Sequence, residues 1–325
     1  MTSDGTPMTD DIHDDTTGTA RRVTETIPAS LADVRIDRVV SLIADISRNA
    51  AAALIESGAV TLDGDVVSAG KGKVATGQVI TVDISAASGP ELPAADASQT
   101  LDVIHVDADV LVVNKPAGLV VHPGAGNKTG TMVNYLLAAY PEIASVGDPM
   151  RPGIVHRLDA GTTGLVAVAR TQLAYESLVE QLTMRSVTRV YSVVVWGVPT
   201  SLNGVIDAPI GRDQRDPTRM AVVVDGRPAR THYAVERSFR VPKDASLVEC
   251  RLETGRTHQI RVHLASIGHP VVGDAQYGGV RAGIRAARPM LHAHRLGFDH
   301  PRTGERCEFA SDLPGDFATL VASLS

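Results

Sequence analysis

Apolar positions along the chain define its first elements. Ile36, Val39, Val40 and Ile43 recur at i, i+3, i+4 and i+7, the spacing of a single helical face, and predict a short helix. Ser47 then stands where an N-cap would open a second helix, which Gly58 stops. Residues 59–62 and 65–67 flank the dipeptide Asp63-Gly64 and read as a hairpin, and residues 78–84 read as a further strand beyond a Gly/Lys segment at 70–73. Together these make a small α/β unit over residues 31–85. Before it, residues 1 to about 30 are polar and acidic with few large apolar side chains, and we expect them to stay disordered. After it, residues 86–100 carry Pro90 and Pro93 among Ala and Ser and read as a linker.

From Leu101 to the end, residues 101–325, short strands dominate. Runs at 102–106, 110–114, 153–158, 165–169, 187–196, 220–224 and 229–235 fit strands, with Asp225-Gly226 as a hairpin signal between the last two. Helices are expected after Thr171, where Tyr175, Leu178, Val179 and Leu182 align, and after Thr257, where Ile260, His263, Leu264 and Ile267 align. The fold class is therefore α+β, with a largely antiparallel or mixed sheet. No internal repeat is visible.

Composition narrows the function. With 325 residues, 43% hydrophobic and 21% charged, the chain can bury sizeable cores, and no run reaches the ~18 apolar residues of a membrane span. The first 19 residues hold five aspartates and no Lys or Arg, the reverse of a targeting peptide, so a cytoplasmic protein is expected. Cys250 and Cys307 are too few for a disulfide framework or a thiolate zinc site. The net charge of −6 is local in origin: residues 1–100 carry 7 Lys+Arg against 15 Asp+Glu, whereas residues 101–325 carry 24 against 22. The arginine-rich second part is compatible with phosphate contacts.

Two clusters carry candidate chemistry. Arg157 and Asp159 lie two apart at the end of the apolar run 153–158, followed by a Gly/Thr-rich loop with Thr162, Thr163 and Gly164. An aspartate leaving a buried strand beside an arginine would be ionised by it and could act as nucleophile or base; a structural ion pair is an equal reading of the same charges. The run 253–263 places Arg256, Arg261, His258, His263 and Gln259 around a helix N-terminus, an environment that favours anions. His258 and His263 are five apart, not the i, i+4 spacing of helical zinc ligands, and no metal site is expected. His292 and His294 share a strand face without a third ligand, and His105, His122 and His156 have no evident partner. Walker and dinucleotide fingerprints are absent, so no nucleotide cofactor is expected.

The runs 114–118 (Asn-Lys-Pro-Ala-Gly), 121–127 (Val-His-Pro-Gly-Ala-Gly-Asn), 156–159 (His-Arg-Leu-Asp) followed by Thr-Thr-Gly at 162–164, and 254–263 (Thr-Gly-Arg-Thr-His-Gln-Ile-Arg-Val-His) together resemble the RluA/RluD-type RNA pseudouridine synthases. The unit at 31–85 resembles the ribosomal-S4-like RNA-binding domain that precedes the catalytic domain in part of that family. The resemblance implies a mostly antiparallel, mixed-sheet catalytic domain over 101–325 that isomerises uridine within RNA, rRNA of the large subunit first and tRNA next, without cofactor or metal; no membrane or DNA partner is expected, and with no heptad stripe to argue for assembly a monomer is expected. It assigns Asp159 as the catalytic carboxylate, Arg261 as its salt-bridge partner, Tyr191 as the surface that stacks on the target base, and Arg157 to displacement of the flipped nucleotide. Arg256 is a second candidate for RNA contact.

This chain departs from many relatives at Ala160 and Gly161, where they carry a polar residue, and residues 35–84 hold five basic side chains against six acidic ones, so the S4-like unit is not a strong basic patch. Two other readings compete: a non-catalytic RNA-binding or ribosome-assembly factor on the same scaffold, and a small-molecule hydrolase using Asp159 as base.

Overall fold

The computed structural model describes residues 22–46, 48–86, 92–124 and 126–325, which form two units, one ending at Glu91 and one beginning at Leu92. Ser47, the expected cap, Pro90, and the acidic tail up to residue 21 lie outside the described residues.

The first unit contains β1 (Arg22–Thr26), α1 (Ile36–Ile43), α2 (Arg48–Glu56), β2 (Val60–Leu62), β3 (Asp65–Val66) and β4 (Val79–Asp83), with its four strands in the order β1-β4-β2-β3. The expected stripe is the buried face of α1: Ile36, Val39 and Val40 pack with Leu54, Ile55, Val60, Ile80 and Val82. Asp63 and Gly64 both take positive φ, 53° and 91°, as the tight turn between β2 and β3 requires. One expectation is corrected here. Residues 22–26 are not part of a disordered tail; they form an edge strand antiparallel to β4, where the Thr24 and Thr81 hydroxyls meet at 3.0 Å and Arg22 pairs with Asp83 at 3.3 Å. The β-branched Val23, Thr24 and Thr26 favour extended backbone, and β4 offers an unpaired edge to receive it.

The second unit is built on a nine-stranded sheet. Its members are β5 (Val103–Val106), β6 (Val110–Lys115), β7 (Thr163–Ala169), β8 (Thr188–Trp196), β9 (Asn203–Asp207), β12 (Arg230–Phe239), β13 (Ala245–Leu252), β14 (Leu291–Asp299) and β15 (Arg306–Ala310). The order is β5-β6-β7-β14-β8-β13-β12-β9, with β15 on β14, and β10 (Ile210–Arg212) and β11 (Met220–Val222) form a separate ribbon. Among the described residues only the β7–β14 pairing is parallel. At that seam Gly164 has φ 112°, and a Cβ there would lie 2.2 Å from the Ala293 carbonyl oxygen, so no other residue fits.

Helices cover both faces. α3 (Met132–Ala139) and α5 (Gln259–Ser266) pack against Leu111, Val113, Val166, Val168, Tyr191 and Val193. α4 (Gln172–Thr183) lies on the opposite side against Val110, Val112, Leu165 and Phe298, and α6 (Gly315–Ala322) against Val194, Trp196 and Leu247. Burial on both sides is why β6 and β7 read as continuous apolar runs. The fold is thus the α+β, largely antiparallel mixed-sheet arrangement expected.

Three local expectations fail. Residues 94–96 are not free linker, because the Ala94 carbonyl accepts from the Asn134 side chain at 2.7 Å and the Asp96 N–H donates to the Asn134 carbonyl at 2.9 Å. Asp225-Gly226 does not join paired strands: β11 pairs with β10, and β12 pairs with β9 and β13. The turn instead wraps Ile210, which Arg227 bridges from the other side. Finally, residues 153–158 are not a strand. Only Ile154 bridges β7, at Val168, and the next ladder position is filled by a side chain, His156 Nε2, which accepts from the Ala167 N–H at 3.0 Å.

Candidate active site

The loop that follows His156 carries Arg157 and Asp159 to one face of the sheet. Three anchors fix it. His156 is held on β7, and burial, with the Arg189 cation beside it, pushes its pKa down to about 3, so it serves as a neutral acceptor. The Thr162 N–H donates to the Asp159 carbonyl at 3.0 Å, closing the turn. Lys115, 1% exposed at the end of β6, donates from Nζ to the carbonyls of Pro116, Leu119 and Ala160 at 2.8, 2.8 and 3.1 Å. Burial lowers the Lys115 pKa to about 7, with Asp159 raising it and Arg288 lowering it further. The run 114–118 therefore contributes a buried amine that ties the loop down through its backbone.

Asp159 does not pair with Arg157, as adjacency in the sequence suggested. Its Oδ2 accepts from Arg261 NH1 at 3.0 Å, a residue 102 positions away, and its Oδ1 lies 3.9 Å from His258 Nε2. Arg157 is exposed and makes no ion pair among the described residues, although it borders the same cleft. Arg261 stands on α5 with 9% of its side chain exposed. Its Nε and NH2 are clamped by the two carboxylate oxygens of Asp274 at 2.6 and 3.0 Å, NH2 also reaches Gln276 at 3.1 Å, and the guanidinium lies 4.9 Å from the centre of the Tyr277 ring. Burial works against the Arg261 charge, but the carboxylates of Asp274 and Asp159 outweigh it and raise its pKa. Asp274 is fully buried and further held by the N–H groups of Gln276 and Tyr277 at 3.0 and 3.2 Å. His258, in left-handed backbone at φ 56°, meets the Tyr277 hydroxyl at 2.8 Å, and burial lowers its pKa against the pull of Asp159.

Asp159, Tyr191, His258 and Arg261 line one narrow cleft of about 90 Å³. Tyr191 enters from β8 and is 6% exposed; burial pushes its phenol up to about 12, with Arg189 opposing and Asp159 adding to the rise. It is therefore a protonated aromatic wall. Next to the cleft is a wider cavity of about 550 Å³, and His156, Arg157, Arg189, Gly255 and Arg256 border both. Arg256 is fixed through Nε on the Pro228 carbonyl at 3.1 Å. The arrangement can present one carboxylate oxygen, oriented by a buried cation, to a flat group resting on an aromatic ring.

Other histidines fall elsewhere. His263 is fully buried between the Thr231 hydroxyl and the Ala208 carbonyl, both at 2.9 Å, and shares no partner with His258. His292 bonds Thr163 and Ser311, and His294 meets Ser192. His122 stays with the neighbouring Pro123 carbonyl. His105 does have a partner, Asp107 at 2.7 Å; despite the opposing effect of burial, this contact and two backbone N–H groups bring Asp107 down to about 2. Sequence reasoning missed Asp274, Gln276, Tyr277, Arg189 and the role of Lys115. One signal was present for Asp274: like Asp159, it is an acid leaving an apolar run, here Val271 and Val272.

Comparisons with known proteins agree on one family. A family model for RNA pseudouridylate synthase matches residues 109–266, which include Asp159, Tyr191 and Arg261. The chain is 47% identical to the uncharacterized RNA pseudouridine synthase YlyB of Bacillus subtilis (strain 168), over 89% of this chain and 94% of that one. It is 43% identical to the ribosomal large subunit pseudouridine synthase D of Vibrio vulnificus (strain CMCP6), over 93% and 94%. Among solved structures, the human RNA pseudouridylate synthase domain containing 1 aligns with a TM-score of 0.56 at 29% identity, covering 70% of this chain and 88% of that one. With such identity over nearly full length, the chain belongs to the family of RNA pseudouridine synthases.

Proposed function

We propose that this enzyme converts uridines of large-subunit rRNA to pseudouridine in the cytoplasm, with Asp159 as its catalytic carboxylate. The observation that carries the reading is the chain Asp274–Arg261–Asp159, in which a fully buried carboxylate clamps a nearly buried guanidinium that in turn holds one oxygen of Asp159 and leaves the other to the cleft. The choice of rRNA follows the name of the Vibrio vulnificus relative.

The reaction breaks the bond from ribose C1′ to uracil N1 and forms one from C1′ to C5; C5 loses a proton, N1 gains one, and no electrons enter or leave. A base in folded RNA must leave its stack to reach Asp159, and an aromatic platform worth ~1–3 kcal/mol offsets part of that cost. Tyr191 is that platform, and its raised pKa keeps the ring neutral beside the carboxylate. Arg157, exposed and unpaired at the mouth of the cleft, takes the place vacated in the RNA stack, and Arg256 contacts the strand. The unit before Glu91 acts as an S4-like RNA-binding domain.

Two measurements test the proposal. Carbodiimide mapping of rRNA from cells with and without the gene should show at least one pseudouridine lost from the large subunit, and persistence of every site would refute the substrate. Purified Asp159→Asn should melt within a few degrees of the wild type and form no product; retained turnover on an RNA that the wild type modifies would refute the role of Asp159, and RNA binding without isomerisation by the wild type would favour an assembly factor.

A further inference from the structure

Arg189 lies on β8, two residues before Tyr191 and on the same face of the sheet. It is only 7% exposed, yet it forms no ion pair among the described residues. Its single hydrogen bond runs from NH2 to the backbone carbonyl of Glu253 at 3.2 Å, and its Nε, buried, has no acceptor. The Glu253 carboxylate does not serve it, being engaged by Arg185 at 3.2 Å and His232 at 2.5 Å. A buried cation without a counter-charge is costly unless something supplies one, and burial accordingly lowers the Arg189 pKa. Space for an anion exists: Arg189 borders both the Asp159 cleft and the 550 Å³ cavity, whose rim also carries Arg151, Arg157, Arg185 and Arg256. Gly255 provides clearance as well, since a Cβ at that position would lie 2.7 Å from Arg189 NH1.

We infer that Arg189 is a phosphodiester receptor, which binds the RNA backbone adjoining the nucleotide held at Asp159 and leads the strand into the wider cavity. A phosphate oxygen is the acceptor that a partly engaged guanidinium bordering both spaces calls for, and the planar fork of arginine matches it. The inference rests on the placement of the target uridine at Asp159 and adds a contact that fixes where the strand runs.

Binding of a short fluorescein-labelled oligouridylate over a KCl series tests it. Arg189→Gln retains a donor for the Glu253 carbonyl but removes the charge. The salt slope should fall in magnitude by about 0.7, the value for one phosphate contact on a single strand, and affinity at fixed salt by about ten-fold. Arg189→Lys should keep the slope. A folded Arg189→Gln with the wild-type slope overturns the inference, as does an Arg189→Lys that loses it. Should Arg189→Gln fail to fold, the wild type decides by NMR of ¹⁵N-arginine-labelled protein. The Nε–H resonance absent from the Arg189→Lys spectrum should shift when oligouridylate is added, and a resonance that stays in place overturns the inference. Failure of the Asp159 reading is seen separately in the turnover of Asp159→Asn, which none of these binding measurements uses.

Discussion

Replacing Asp274 with Asn tests the support beneath Asp159, the proposed catalytic carboxylate, without touching the cleft. In the wild type, Oδ1 of Asp274 accepts from Arg261 NH2 and from the N–H groups of Gln276 and Tyr277, while Oδ2 accepts from Arg261 Nε at 2.6 Å. The asparagine oxygen will keep the position with three donors, which turns its NH2 group against the Arg261 Nε–H, donor against donor. Arg261 then loses its Nε contact and the carboxylate charge, and keeps through NH2 the amide oxygen together with Asp159 and Gln276, the last two at 3.0 and 3.1 Å. Removing one member of a buried ion pair costs ~3–5 kcal/mol; because Asp159 still compensates part of the Arg261 charge, the lower end applies, about 3 kcal/mol. For a unit of this size that is a fall in melting temperature of roughly 6–12 °C. The effect on chemistry is separate: a guanidinium free to shift by about 1 Å lets Asp159 lose its aim, which costs on the order of 100-fold in turnover. Calorimetry and single-turnover product formation read the two quantities. A variant that melts within ~2 °C of the wild type and keeps its turnover would show that Asp274 does not hold Arg261 in place, and the relay from Asp274 to Asp159 would have no physical content.

Two further predictions concern the anchors of the same loop. Burial depresses the Lys115 pKa from 10.5 to about 7, so between those values the unfolded chain holds more protons and stability should rise with pH, by at most ~5 kcal/mol, while below about 7 both states carry the charge and the slope vanishes. Urea unfolding at several pH values would show this rise in the wild type and not in Lys115→Met, and parallel pH profiles for the two would refute it. Gly164→Ala combines positive φ with a 2.2 Å collision at Ala293; strain and overpacking should destabilise the second unit by roughly 2–6 kcal/mol, and a melting temperature like that of the wild type would contradict the tight β7–β14 seam.

How much of this could be read from the chain depended on whether a segment buries one face or two. The α1 stripe was legible because solvent wets its other side, and Ile36, Val39 and Val40 stand out against it. α3 offered no such contrast, since Met132, Val133, Asn134, Tyr135, Leu136 and Leu137 are all buried. Residues 153–158 misled for a related reason: the run is apolar enough for a strand, but a side chain, His156, takes the hydrogen bond that a ladder carbonyl would take. The same limit applies to the site. Spacing along the chain pointed to Arg157 as the partner of Asp159, whereas the contact is made by Arg261 from α5, and Asp274, which positions Arg261, follows β-branched residues in a loop no periodicity marks. The resemblance to pseudouridine synthases supplied the Arg261 pairing because motifs preserve which residues meet, while composition and period report only how each segment faces water. What neither could supply is the order of dependence. Asp159 is aimed by Arg261, Arg261 by Asp274, and the Asp159 loop by Lys115 and His156, so the carboxylate proposed to meet substrate is placed by four side chains, of which Asp274 and Lys115 do not line the cleft. Substitutions at those four should therefore alter turnover in proportion to how far they let the carboxylate move, whereas Asp159→Asn should abolish it with the fold left intact.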